Sequence, residues 1–294
     1  MDVLCGKENW DVWLYEKGGT IHAAMPYYKE WRNGALYITK ALLTQNNGII
    51  ICYPPSQKPE ARYRHEEHVI NAACDFIESM GLGVYEQQYH YSFINCLPFM
   101  WRGYTAIPRY TCVIEDTGDL EKIWANYTAD IRRSLRKAEK HTSVSTDIHP
   151  AEFYAEHEKI YMRQGLNCPF SEEQWLNLHQ KCTENHAGQM LCAKDGDHRI
   201  ASLAFVVWDE KSMYLLLGGN MPEYKSFDSY TQLIHTAIGM ASARNLRFDF
   251  EGSVIKRIFK SYRDYGPQMK LYFRIRKVFD ASLMRNEAEQ QIKT

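Results

Sequence analysis

The amino-acid sequence predicts a mixed α/β (α+β) protein of two related modules, each a mixed, largely antiparallel sheet flanked by helices. Two observations carry this. The last third runs strand, strand, strand, helix, strand, helix, strand, with turn signals between the first strands. The first half repeats that order more loosely, and a charged helical region joins the two. A chain of 294 residues is comfortable for two such cores. The expected division is residues 1–147, including the linking helices, and residues 148–294.

Residues 35–43 and 48–53 read as strands around Thr44-Gln45-Asn46-Asn47, the composition of a hairpin connection. Pro54 and Pro55 end the second strand. Over 66–80, Val69, Ala72, Ala73, Phe76, Ile77 and Met80 fall on one helical stripe. Residues 119–140 are helical and charged, with a break near Thr128-Ala129. Helices over 149–165 and 171–183 follow, the latter with Ser171 as N-cap and Gln174 at the capping-box position. Strands at 189–194, 200–208 and 212–218 lead to a helix over 229–244 whose apolar face is Leu233, Ile234, Ala237, Ile238 and Ala241. RFDFEGS (247–253) is the next strand, followed by a short helix near 254–262 and a strand at 269–277.

A net charge of −1 gives no general electrostatic case for a nucleic-acid or membrane partner, so local clusters must make it. No apolar run nears the roughly 20 residues of a spanning helix, and MDVLCGKENWDVW does not read as a secretion signal. We therefore expect no DNA partner, no membrane insertion and a cytoplasmic location. The last rests also on eight cysteines standing singly, without a Cys-x-x-Cys, as free thiols do. His65 and His68 have no third ligand in sequence, so no metal is expected. Phosphate-loop, dinucleotide and nucleophile-elbow motifs are missing, so no tightly bound cofactor is expected. Oligomeric state is not legible.

Residues two apart on a strand share a face, so Asp249 and Glu251 point together, opposite Phe248 and Phe250, which belong in the core. Such a pair is a general base with its orienting partner, or an amine site. Equally, it is a surface pair for Arg244 or Arg247, or an acid at the start of the next helix. Gly252 serves the tight turn, with Ser253 as N-cap. Gly218 and Gly219 either admit a ligand close to backbone or make an ordinary turn. Ser229 opens a helix whose N–H groups suit phosphate, and Tyr224 and Tyr230 are candidate pocket residues. Arg132, Arg133, Arg136, Lys137 and Lys140 form a basic helix face, either solvated or phosphate-binding. A second basic run contains Arg257 and Arg263 on a helix and Arg274 and Arg276 on a strand.

FDFEGS at 248–253 resembles the late strand-and-turn signature of the FemAB-like branch of the GNAT acyltransferase superfamily. WRGYTAIPRYTCVIE (101–115), DIRRSLRKAEK (130–140) and LCAKDGDHRIASLAFVVWDEKSMYLLLGGN (191–220) resemble other parts of it in the right order, from about residue 20 to 277. The resemblance implies two GNAT-like modules and transfer of an acyl or aminoacyl group to an amine acceptor. That acceptor is a cell-wall (peptidoglycan) precursor, another peptide or a small metabolite. The donor it implies is acetyl-CoA or another acyl-CoA, or aminoacyl-tRNA, which makes tRNA a possible partner. It puts Arg133, Arg136 and the Asp249–Ser253 turn at the site's borders. Asp249 or Glu251 would take the amine proton, backbone N–H near 217–219 would hold the oxyanion, and Tyr224 or Tyr230 would protonate the leaving group. PEYKSFD stands where simple GNAT enzymes carry a pyrophosphate signature, so the donor stays open. The alternative is a non-catalytic double module that binds a phosphate-bearing or peptide ligand.

Overall fold

A computed structural model describes residues 1–32, 34–252 and 255–283. The chain forms two compact units: Met1–Arg109 together with the chain from Leu271 onward, and Tyr110–Lys270. In order, its elements are α1 (Asp2–Cys5), β1 (Trp10–Lys17), β2 (Thr20–Arg32), β3 (Ala35–Thr39), β4 (Ile50–Ile51), α2 (Pro59–Ser79), β5 (Val84–Gln88), α3 (Leu97–Trp101) and β6 (Thr105–Ile114). There follow α4 (Leu120–Asn126), α5 (Ala129–His141), β7 (Ser143–Ser145), α6 (Pro150–Met162), α7 (Glu172–Glu184), β8 (Gly188–Lys194), β9 (Ile200–Trp208), β10 (Ser212–Asn220), α8 (Ser229–Ser242), β11 (Arg247–Asp249), α9 (Lys256–Arg263) and β12 (Gln268–Val278).

In the first unit the strand order is β1-β2-β3-β5-β12, with β4 on β2. Pairings are antiparallel except β3 with β5, between which β4 and α2 lie in sequence. Two expectations fail here. The strand at 50–51 pairs with β2, so residues 35–53 are no hairpin. The long hairpin is β1–β2, where the exposed apolar residues Val12, Leu14 and Ile21 hide the alternation. Helix α2 also starts earlier, because Pro59 sits at its first turn, where a missing N–H costs nothing. Val69, Ile70, Ala73, Cys74 and Ile77 bury its inner face against Met25, Ile38 and Tyr85.

The second unit repeats this plan. Its strand order is β6-β11-β10-β9-β8-β7, and its parallel pair is β10 with β11, separated in sequence by α8. Thus β9-β10-β11-β6 matches β2-β3-β5-β12: antiparallel, parallel, antiparallel. The sequence-based cut at 147/148 does not separate the units. The last strand of the first unit comes from the C-terminal end of the chain, and α4 and α5 pack in the second.

One face of the second sheet is sealed by α8 and α5. Leu233, Ile234, Ala237, Ile238 and Ala241 meet Leu191, Ala204, Val206, Met213 and Leu215, with Ile131 and Leu135 from α5. Thr128 caps α5 by accepting from Ile131 N–H, which confirms the expected break. The other face carries α6 and α7, and α7 opens with the capping box formed by Ser171 and Gln174. Trp175 stacks on Phe153 (centroids 4.7 Å apart) and meets Phe205 edge-on, while its indole N–H donates to the Pro150 carbonyl. His157 lies between Phe153 and Phe170, 3% exposed, and its Nδ1 has no hydrogen-bond partner among the described residues.

Burial depresses the His157 pKa from 6.5 to about 4. Between those values the unfolded chain binds a proton that the native state does not, so stability falls as pH drops through that window. A shift of this size is worth roughly 3 kcal/mol. We expect His157→Phe, which keeps the aromatic stack, to flatten the loss of melting temperature between pH 7 and pH 4.5. Parallel melting curves for the two proteins would contradict this.

Candidate active site

The sheet of the second unit opens between β10 and β11. β10 and β11 pair only through Ser212–Arg247, Met213–Phe248 and Tyr214–Asp249. Beyond Tyr214, β10 continues to Asn220 paired among the described residues with β9 alone, while Phe250 N–H turns to the Cys112 carbonyl on β6. Two parallel strands therefore part at their C-terminal ends, the place where α/β sheets open a crevice for ligands. The β9–β10 register slips there, between Leu215 and Leu217, so Leu216 is an extra residue and the strand bends locally.

Asp249 stands at the fork. It is 2% exposed, and its Oδ1 accepts from the Thr111 hydroxyl (2.5 Å) and from Glu251 N–H (2.8 Å). Both bonds fall on one oxygen. Burial raises its pKa from 3.8 to about 6; the two hydrogen bonds oppose the rise and the charge of Glu115 adds to it. Glu115 itself is paired, to Arg247 (3.0 Å) and Lys270 (2.8 Å).

Glu251 is placed differently from the sequence expectation. β11 ends at Asp249, and Glu251 takes a left-handed backbone (φ 60°), so the two acids share no strand face. The hydrogen bond from Glu251 N–H to Asp249 produces this turn, which the alternation pattern could not show. Phe248 and Phe250 are core, as expected. Gly252 follows at φ 48°, where a Cβ would lie 2.3 Å from the Tyr110 carbonyl oxygen and 2.5 Å from Thr111 Cα. Only glycine allows the chain this close to β6. Ser253, expected as the N-cap, lies outside the described residues.

Tyrosines line the fork. Tyr230, in the first turn of α8, packs over Gly218: a Cβ there would meet its ring at 2.7 Å and the Leu203 carbonyl at 2.6 Å. So Gly218 makes room for Tyr230. Gly219 has more space, with Ile160 at 3.4 Å from its would-be Cβ. Burial raises Tyr230 well above 10, and Tyr262 and Tyr265 add to the effect. Tyr262, missed in the sequence reading, packs on Phe250 (centroids 4.9 Å) and is pushed up to about 12, first by burial and then by Glu251. Its signal in sequence was only its place in a short amphipathic helix. Cys112 is raised to about 11 by burial and then by Asp249, so it is a poor nucleophile at neutral pH.

Other candidates are tied to further protein groups. The Tyr224 hydroxyl donates to Asp195 (3.1 Å), which Arg199 also holds. Ser229 opens α8, as expected, and is fully buried, with Asp228 at the N-cap in a left-handed conformation. Asn220 Oδ1 accepts from Tyr230 N–H (3.1 Å) and faces the Ser229 hydroxyl (3.4 Å), and Lys137 pairs with Asp228 (3.2 Å). These contacts use part of the helix end that the sequence offered to phosphate. Arg133 pairs with Asp130 at the surface and Arg136 is exposed. Arg132 is not on the open face: its guanidinium donates to the Trp124, Ala125 and Tyr127 carbonyls and caps α4. Among the described residues no cluster of His, Cys, Asp and Glu could hold a metal. Two surface clefts, of about 370 and about 120 Å³, include neither Asp249 nor Tyr230.

Residues 125–256 match the family model described as Acetyltransferase (GNAT) domain. Among solved structures the chain is similar to FemX, with a TM-score of 0.67 and 10% identity over 90% of this chain and 88% of that one. It is also similar to the C-terminal domain of a putative lysylphosphatidylglycerol synthetase from Agrobacterium fabrum (TM-score 0.56, 12% identity, 98% and 90% covered). A tandem GNAT protein from the clavulanic acid biosynthesis pathway gives a TM-score of 0.53 at 9% identity, with 91% and 82% covered. No curated protein matches the sequence. The chain is a tandem GNAT-fold protein. Its architecture is FemAB-like, as the duplicated strand order and the likeness to FemX show.

Two substitutions test the fork. Gly252→Ala forces a strained φ and a backbone clash, and should cost roughly 2 to 4 kcal/mol in urea unfolding; a change under about 0.5 kcal/mol would contradict this. The raised Asp249 pKa means that the native state holds a proton the unfolded chain has lost between about pH 4 and 6. Stability therefore falls as pH rises through that window. Asp249→Asn should stabilise the protein by roughly 1 to 3 kcal/mol at pH 8 and by little at pH 4. Equal effects at both pH values would contradict the assignment.

Proposed function

We propose that the protein transfers an acyl or aminoacyl group to an amine, with Asp249 as the general base. The observation that carries this is a carboxylate with a pKa near 6 at the fork of two parallel strands, whose hydrogen bonds among the described residues both fall on Oδ1. In the step, the amine nitrogen bonds to the donor carbonyl carbon and Asp249 Oδ2 takes the amine proton. Backbone N–H groups around Leu216–Gly218 receive the oxyanion, on the side of β10 that no strand pairs among the described residues. Collapse of the tetrahedral species breaks the bond to the donor's thiolate or alkoxide, which leaves with a proton from Tyr230 or water. No enzyme-bound acyl group is needed, in keeping with the high pKa of Cys112.

The GNAT domain match favours an acyl-CoA donor, whereas the likeness to FemX and to a putative lysylphosphatidylglycerol synthetase favours aminoacyl-tRNA. The occupied N-terminus of α8 and the missing pyrophosphate signature weigh toward aminoacyl-tRNA. The acceptor is then a peptide or lipid-linked amine, such as a cell-wall precursor, or a small metabolite. All eight cysteines are free, which suits the cytoplasm.

Single-turnover assays with acetyl-CoA and with charged tRNA, against a panel of amines, decide between donors. With the productive pair, the rate should fall below about pH 6 along a single-proton limb. Asp249→Asn should lose roughly 10²-fold or more, and Glu251→Gln less. An unchanged rate for Asp249→Asn would remove the base, and no transfer with any pair would favour the binding role.

A further inference from the structure

The segment joining α6 to α7 and the start of α9 form a surface that acyl transfer does not use. Arg257 Nη2 donates to Gln164 Oε1 (3.4 Å), which brings the two segments together in the second unit. Three large apolar side chains stand exposed there: Met162 (62%), Leu166 (54%) and Ile255 (56%). Arg163 lies between Met162 and Leu166 in sequence, and Lys256, Arg257, Lys260 and Arg263 follow Ile255 on α9; all five are exposed. Residues 159–171 contain no acid, and neither do residues 255–263. Among the described residues Arg263 pairs with neighbouring Asp264, while Arg163, Lys256 and Lys260 enter no ion pair. In a chain of net charge −1, this is a concentrated positive field beside an apolar cluster.

We propose that this surface adsorbs to membranes rich in anionic lipid, with Met162, Leu166 and Ile255 entering the headgroup–acyl boundary and the cations on phosphates. Basic residues next to exposed aliphatic ones suit a lipid surface, where burial of the apolar tips and attraction to headgroups add. RNA fits less well: phosphate contacts gain nothing from Met, Leu and Ile, and exposed aromatic rings for stacking on bases are missing from this set. The contact is peripheral; no described helix is long and apolar enough to cross a membrane. It stands independently of the acyl-transfer reading, since none of these residues lies at the Asp249 fork.

The test is sedimentation of the full chain with vesicles of phosphatidylcholine alone and with phosphatidylcholine containing phosphatidylglycerol. Binding should appear only with the anionic vesicles and weaken as salt rises. Lys256→Glu with Lys260→Glu, and separately Leu166→Asp with Ile255→Asp, should each reduce partitioning at least tenfold. These positions are exposed, so circular dichroism and melting temperature should match wild type, as should transfer to a soluble amine. No binding to anionic vesicles would overturn the proposal. So would aliphatic substitutions without effect, or tighter binding to RNA than to vesicles.

Discussion

The short pairing of β10 with β11 is the constraint on which the rest of the second unit depends. Three residue pairs hold the parallel strands together before β11 turns toward β6 and β10 goes on with β9. A continuous ladder would have left no space at the strand ends. Instead, the gap is bordered by tyrosines, an extra residue at Leu216 and one buried carboxylate. Asp249 is costly to bury, and Thr111 and the Glu251 amide offset only part of that cost. A group kept under such a penalty is a candidate for chemistry.

The same constraint explains the glycines. Gly252 lets the chain pass within contact of the β6 backbone, and Gly218 lets Tyr230 lie on β10. Each allows a close approach to neighbouring chain that a Cβ would block. Tyr224, Ser229 and Arg132 are likewise tied to protein groups, which leaves Asp249, Tyr230 and Tyr262 around the fork.

Much of the fold was legible because its signals are local. The stripe of α8, the capping box of α7 and the Thr128 break each depend on residues within a few positions. What escaped was non-local. β4 joins β2, and β12 completes a unit begun at the other end of the chain. At the site, alternation marked FDFEGS as a strand and put Phe248 and Phe250 in the core. It could not show that the strand stops at Asp249, because the stop comes from a side-chain-to-backbone bond and a left-handed residue. Tyr262 was invisible for a similar reason: it reaches the fork only because α9 folds back onto Phe250.

The central claim is that Asp249 is a proton acceptor poised near neutrality. Carbon-13 NMR of the protein labelled at aspartate carboxyls tests it directly. Titration should show one carboxyl with a midpoint near pH 6, and Asp249→Asn should remove that resonance alone. A full set of aspartates titrating near or below 4, with none assigned to position 249 above that range, would contradict the account.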